Sequence, residues 1–120
     1  MADQPYSLDM AARNDLTDLS HLRVIECSAV EFRGLNSSSA VVCCIYRPCG
    51  ADFGIFLRTL EEIISKAIGH NNKQIFITGD FNVSLLQDSH EKSALLSMLQ
   101  SFNIFASALA ITRSQSGACL

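Results

Sequence analysis

The sequence predicts an α/β domain, and three segments predict it. Residues 40–47 (AVVCCIYR) form an apolar run rich in β-branched side chains, the pattern of a strand covered on both faces. Residues 52–69 place Phe53, Phe56, Leu57, Leu60, Ile63, Ile64, Ala67 and Ile68 at spacings of three and four, which is one wide face of a helix. Residues 74–78 (QIFIT) give a short buried strand that runs straight into Gly79 and Asp80. A helix with such a stripe must bury it against a sheet, and strands on either side of it supply one.

The other elements follow in order. Residues 1–21 are polar and hold no lasting periodicity, so they predict a loosely ordered leader, with Leu16 and Leu19 permitting a short helix. Residues 22–33 (LRVIECSAVEFR) alternate roughly between apolar and polar and predict a strand. Residues 34–39 (GLNSSS) are a turn cluster. Arg47 and Pro48 close the next strand, because proline cannot donate to a ladder and holds its predecessor extended. Asp52 suits a helix N-cap and Gly69 the position after the helix. Residues 70–73 are a polar loop, and residues 89–102 a second helix with Ala94, Leu95, Met98 and Leu99 on one side. Residues 104–111 (IFASALAI) read as extended, and Thr112 and Arg113 open a polar tail. The order is β-β-α-β-α-β, with one domain over residues 22–120.

Composition bounds the function. Of 120 residues, 48% are apolar and 18% charged, and the mean hydropathy is +0.22. A chain this apolar is not disordered, collagenous or a coiled coil. The net charge of −3 is spread without blocks, so no basic stripe announces nucleic-acid binding. The five cysteines (Cys27, Cys43, Cys44, Cys49, Cys119) form no CxxC pair, which argues against zinc. Cys43 and Cys44 lie in the apolar run and read as small core residues. The expectation is reduced thiols in an intracellular compartment, nucleus or cytoplasm undecided. Residues 1–18 lack the apolar centre of a signal peptide, and no apolar stretch approaches the ~20 residues of a membrane span.

The segment IFITGDFN (residues 75–82) carries the most chemistry. Asp80 and Asn82 are two apart, which in extended geometry turns both to one face. A carboxylate there can orient a nucleophilic water or hold a hard cation, and an amide can donate to a phosphate. Gly79 permits close approach of the backbone to a ligand. The same letters also make an ordinary turn. Tyr46, at the end of CIYRP, can present its hydroxyl to a phosphate or be a plain edge aromatic. Thr112 and Arg113 can grip a nucleic-acid backbone or be a solvated strand end.

Taken in order, IYRP, a helix containing F-L-x-x-L-E, I-x-I-x-GDFN, a leucine-rich helix and TR resemble the endonuclease/exonuclease/phosphatase superfamily. The spelling is most similar to the apurinic-endonuclease-like domain of non-LTR retrotransposons, which precedes a reverse transcriptase, and the resemblance covers about Val24 to Ser116. It implies a four-layered α/β sandwich, here in part, that cleaves DNA phosphodiesters with Mg²⁺ or Mn²⁺. By resemblance, Asp80 activates or orients the water, Asn82 holds phosphate and water, Tyr46 sits by the scissile phosphate, and Thr112 and Arg113 lie beside the DNA-binding face. An intact relative would have DNA as partner and no membrane.

The chain also departs from that pattern. The resemblance implies a metal-binding glutamate in an E-T-W-like strand and a later Ser-Asp-His segment, and neither is seen in the sequence. Glu26 is not assigned as that glutamate, and His21, His70 and His90 stand in other contexts. The expectation is a fragment truncated at both ends, with little or no activity alone, since a missing ~4 kcal/mol of transition-state stabilisation is already about a thousandfold in rate. A small non-catalytic α/β interaction domain, or a phosphoesterase from another branch of the superfamily, are the alternatives.

Overall fold

Parallel strands need a crossover between them, usually a helix, and the amphipathic stretch after Pro48 supplies it. The computed structural model describes residues 9–34, 38–70, 73–83 and 88–105. Its elements are β1 (Asp9–Ala12), α1 (Asn14–Thr17), β2 (Glu26–Arg33), β3 (Ser39–Tyr46), α2 (Phe53–Ile68), β4 (Gln74–Asp80) and α3 (His90–Ser101). Residues through Phe81 form one unit and residues from Asn82 another. The protein is thus α/β, with a four-stranded mixed sheet in the order β1-β2-β3-β4. β1–β2 and β2–β3 are antiparallel, and β3–β4 is parallel across α2.

The helix ends form where the sequence supplies caps. The Asp52 carboxylate accepts from the Ile55 N–H at 2.9 Å, and Gly69 takes φ 62° beyond the last turn. Those contacts satisfy donors and carbonyls that a bare helix end leaves orphaned. Phe56, Leu60, Ile63, Ile64 and Ala67 of α2 are buried. They share the core with Cys27 and Ala29 of β2, with Val41, Cys43 and Ile45 of β3, and with Leu16 of α1. Each fully buried Leu or Ile contributes roughly 1.5–3 kcal/mol. In the second unit, the Ser89 hydroxyl accepts from the Lys92 N–H at 3.0 Å to start α3, whose Leu95, Met98 and Leu99 are buried.

Side chains alternate across a strand, so the register defines the opposite face of the sheet. That face carries Met10, Val30, Val42, Cys44, Tyr46, Phe76 and Asp80. Met10, Cys44, Tyr46 and Phe76 are exposed, and Val30, Val42 and Asp80 half-buried.

Several expectations need adjustment. The stretch expected as a loose leader contributes β1 and α1, because Arg13 ties it down: its guanidinium donates to Asp15 and, at 2.7 Å, to Glu31 of β2. β2 begins at Glu26 rather than residue 22, since a turn through Arg23 (φ 63°) is closed by a bridge between His21 and Ile25. β4 runs on to Asp80 because it pairs with β3 as far as Tyr46. Cys43 is a core thiol, pushed up by its hydrogen bond with Cys27 and by burial, whereas Cys44 points to the exposed face. Among the described residues, Cys27, Cys43 and Cys44 are free thiols. Ile104 and Phe105 have no regular structure. The rest of the strand expected over residues 104–111, together with Thr112 and Arg113, lies outside the described residues. No helix among the described residues is long and apolar enough to cross a membrane.

Candidate functional site

The two motif-bearing strands end side by side. β3 stops at Tyr46 because Pro48 follows, and β4 stops at Asp80. The parallel register pairs Ile45 with Gly79 and Tyr46 with Asp80. Tyr46 and Asp80 therefore occupy one row, on one face, at the carboxyl ends of two parallel strands. In open α/β sheets, ligands bind outside the carboxyl ends of strands. β2 extends the row, since Glu26 pairs with Tyr46 from the other side. Tyr46 is 38% exposed.

Gly79 is needed here for a reason other than a ligand. Its φ is 135°, and a Cβ added to it would run into the Ile45 carbonyl oxygen, with the Ile45 carbon and nitrogen at 2.7 and 2.8 Å. The close approach is to the neighbouring strand, and it lets β4 keep its pairing through Asp80.

Asn82 departs from its expected geometry. Its φ of 54° lies in the left-handed region, which asparagine tolerates better than most residues. The two-residue alternation of an extended strand therefore does not run from Asp80 to Asn82. Asn82 is half-buried and opens the second unit.

Among the described residues, no group of three or more His, Cys, Asp or Glu is gathered that could hold a metal. The oxygens in the row are nonetheless of the type a hard cation takes. Mg²⁺ characteristically uses one or two carboxylates and completes its shell with water and substrate phosphate. Asp80 fits that role in donor chemistry.

A second polar cluster lies at the opposite end of the sheet. Glu31 is 5% exposed and meets Arg13 at 2.7 Å and Lys73 at 3.0 Å. Burial by itself raises its carboxyl, but hydrogen bonds from Lys73 and Arg13 outweigh that and hold it below its ordinary value. Asp15, hydrogen-bonded by Arg13, falls to about 2. This cluster ties the residues just after β1 and just before β4 to β2. The only hint of it in the sequence is an acidic residue set between Val30 and Phe32 in a strand.

No family model, no curated protein and no solved structure matches the chain.

Proposed function

We propose that the chain is a piece of a metal-dependent phosphodiesterase domain, DNA endonuclease-like and of retrotransposon type. It would belong to a four-layered sandwich of which the mixed sheet and α2 are one half. The reading rests on one observation, the register that sets Tyr46 beside Asp80 at the carboxyl ends of a parallel strand pair. IYRP and GDFN are far apart in sequence, and that pairing brings their reactive oxygens to one edge.

In this reading the Asp80 carboxylate accepts a hydrogen bond from the attacking water and orients it. The Tyr46 hydroxyl donates to a non-bridging phosphate oxygen. The resemblance would add a phosphate contact from Asn82 and DNA-backbone contacts from Thr112 and Arg113. A bound Mg²⁺ or Mn²⁺ supplies neutralisation of charge on the phosphoryl group. These groups give positioning and partial activation only, so the chain alone turns over little or no DNA. In a longer parent, a reverse-transcriptase region is the expected companion.

Titration with a short DNA duplex in Mg²⁺ tests the reading, followed by NMR at the Tyr46 ring and the Asp80 amide. Saturable shifts at both positions are expected, lost in Asp80→Asn. Shifts confined to other parts of the sheet would overturn it. They would favour the non-catalytic interaction domain, for which exposed Met10 and Phe76 supply an apolar surface.

A further inference from the structure

We propose that Arg47 is the positioning residue of the Tyr46–Asp80 edge, its buried guanidinium fixing the backbone that carries Asp80. The proposal rests on the function above in so far as that edge is a site. Arg47 follows Tyr46 directly and is only 7% exposed. Its Nη2 donates to the Ala51 carbonyl at 2.7 Å, and its Nη1 to the Phe81 carbonyl at 3.5 Å. The guanidinium carbon lies 5.1 Å from the Phe53 ring centroid and 5.7 Å from that of Phe56. The Phe56 and Phe81 rings are in turn 6.1 Å apart. Through its backbone, Arg47 also donates to the Asp80 carbonyl at 2.8 Å.

The side chain thus joins the Phe81 carbonyl, next to Asp80, to the loop that starts α2, while the bond to the Asp80 carbonyl comes from the backbone and survives any substitution. Burying a guanidinium costs hydration, and an apolar side chain would fill a space between phenyl rings without that cost. What an apolar side chain cannot supply is a rigid fork of donors that sets two carbonyls in one geometry. The position of the Asp80 carboxylate follows from that of its own backbone, so the fork acts on the site through the adjoining Phe81. It touches neither the phosphate nor the water in the proposed mechanism.

Arg47→Lys and Arg47→Met test this against Ile63→Val, a core truncation on α2. Amide exchange by NMR is the first readout. In both Arg47 variants, exchange at Asp80 and Phe81 is expected to accelerate at least about tenfold more than in the centre of β2 and β3, whereas Ile63→Val raises exchange evenly. Mn²⁺ affinity at Asp80 is the second readout, expected to fall about tenfold in Arg47→Lys, the size of effect that groups supporting a ligand have. If Arg47→Met fails to fold, Arg47→Lys carries the comparison alone, since it keeps the stem and one cation. Even exchange in Arg47→Lys, matching Ile63→Val, would overturn the positioning role. Should wild type bind no Mn²⁺ at Asp80, the catalytic reading falls, and the exchange pattern still decides what Arg47 does.

Discussion

Gly79→Ala is expected to cost at least about 4 kcal/mol, or to prevent folding altogether. The alanine Cβ would overlap the Ile45 carbonyl, and the atoms within 3 Å of it are backbone atoms of a central strand. No side chain can rotate to relieve that contact. The φ of 135° adds strain of its own for any L side chain, of order 1–3 kcal/mol. The sheet has one way to adapt, which is to part β4 from β3 at Ile45 and release the Tyr46–Asp80 pairing. Urea unfolding followed by circular dichroism measures the effect. A midpoint within about 1 kcal/mol of wild type would show that the Ile45–Gly79 approach is not as close as described.

Glu31→Gln is expected to cost about 3 kcal/mol near neutral pH, the range for removing one charge from a buried pair. It leaves Arg13 and Lys73, whose side chains are 17% and 22% exposed, facing each other without their shared anion. A Glu31→Gln, Lys73→Met double variant should recover part of the loss, because the two residues share one network. The pH dependence follows from the direction of the Glu31 shift. A carboxyl held below its ordinary value of 4.5 binds fewer protons folded than unfolded, so stability rises with pH through that window. The contribution is complete above the ordinary value and is lost as pH falls through the lowered one. The difference between wild type and Glu31→Gln should therefore shrink as pH falls below the ordinary carboxyl value and on through the lowered one. Asp15 moves in the same sense, but its side chain is 41% exposed and its share is small. A difference that stays constant on acidification would mean the Glu31 charge is not what the cluster uses.

The elements most legible in the sequence were those that local chemistry dictates. α2 has a side-chain cap at Asp52, a left-handed glycine at its end and a stripe that only a helix can align, and it forms within a residue of the predicted bounds. α3 starts at the hydroxyl of Ser89 for the same reason. β1 was not legible and α1 only as a permitted short helix around Leu16, because Arg13 ties that stretch to Glu31, 18 positions away. The site divides in the same way. The strand ending in GDFN, and Tyr46 at the end of its strand, could be read locally. That Tyr46 meets Asp80 is a fact of register, which the letters do not hold. In the sequence Arg47 is only the close of a strand and part of IYRP, since its contacts are two carbonyls and two rings contributed by other segments. Gly79 was read as making room for a ligand, and it makes room for Ile45.

The pairing of Tyr46 with Asp80 as a cation- and phosphate-facing edge is tested most directly by Mn²⁺. Added at low concentration, the ion broadens NMR signals steeply with proximity. The result expected is selective broadening of the Tyr46 ring and the Asp80 amide, reversed by excess Mg²⁺ and absent from Asp80→Asn. Broadening centred elsewhere, or undiminished in Asp80→Asn, would contradict it.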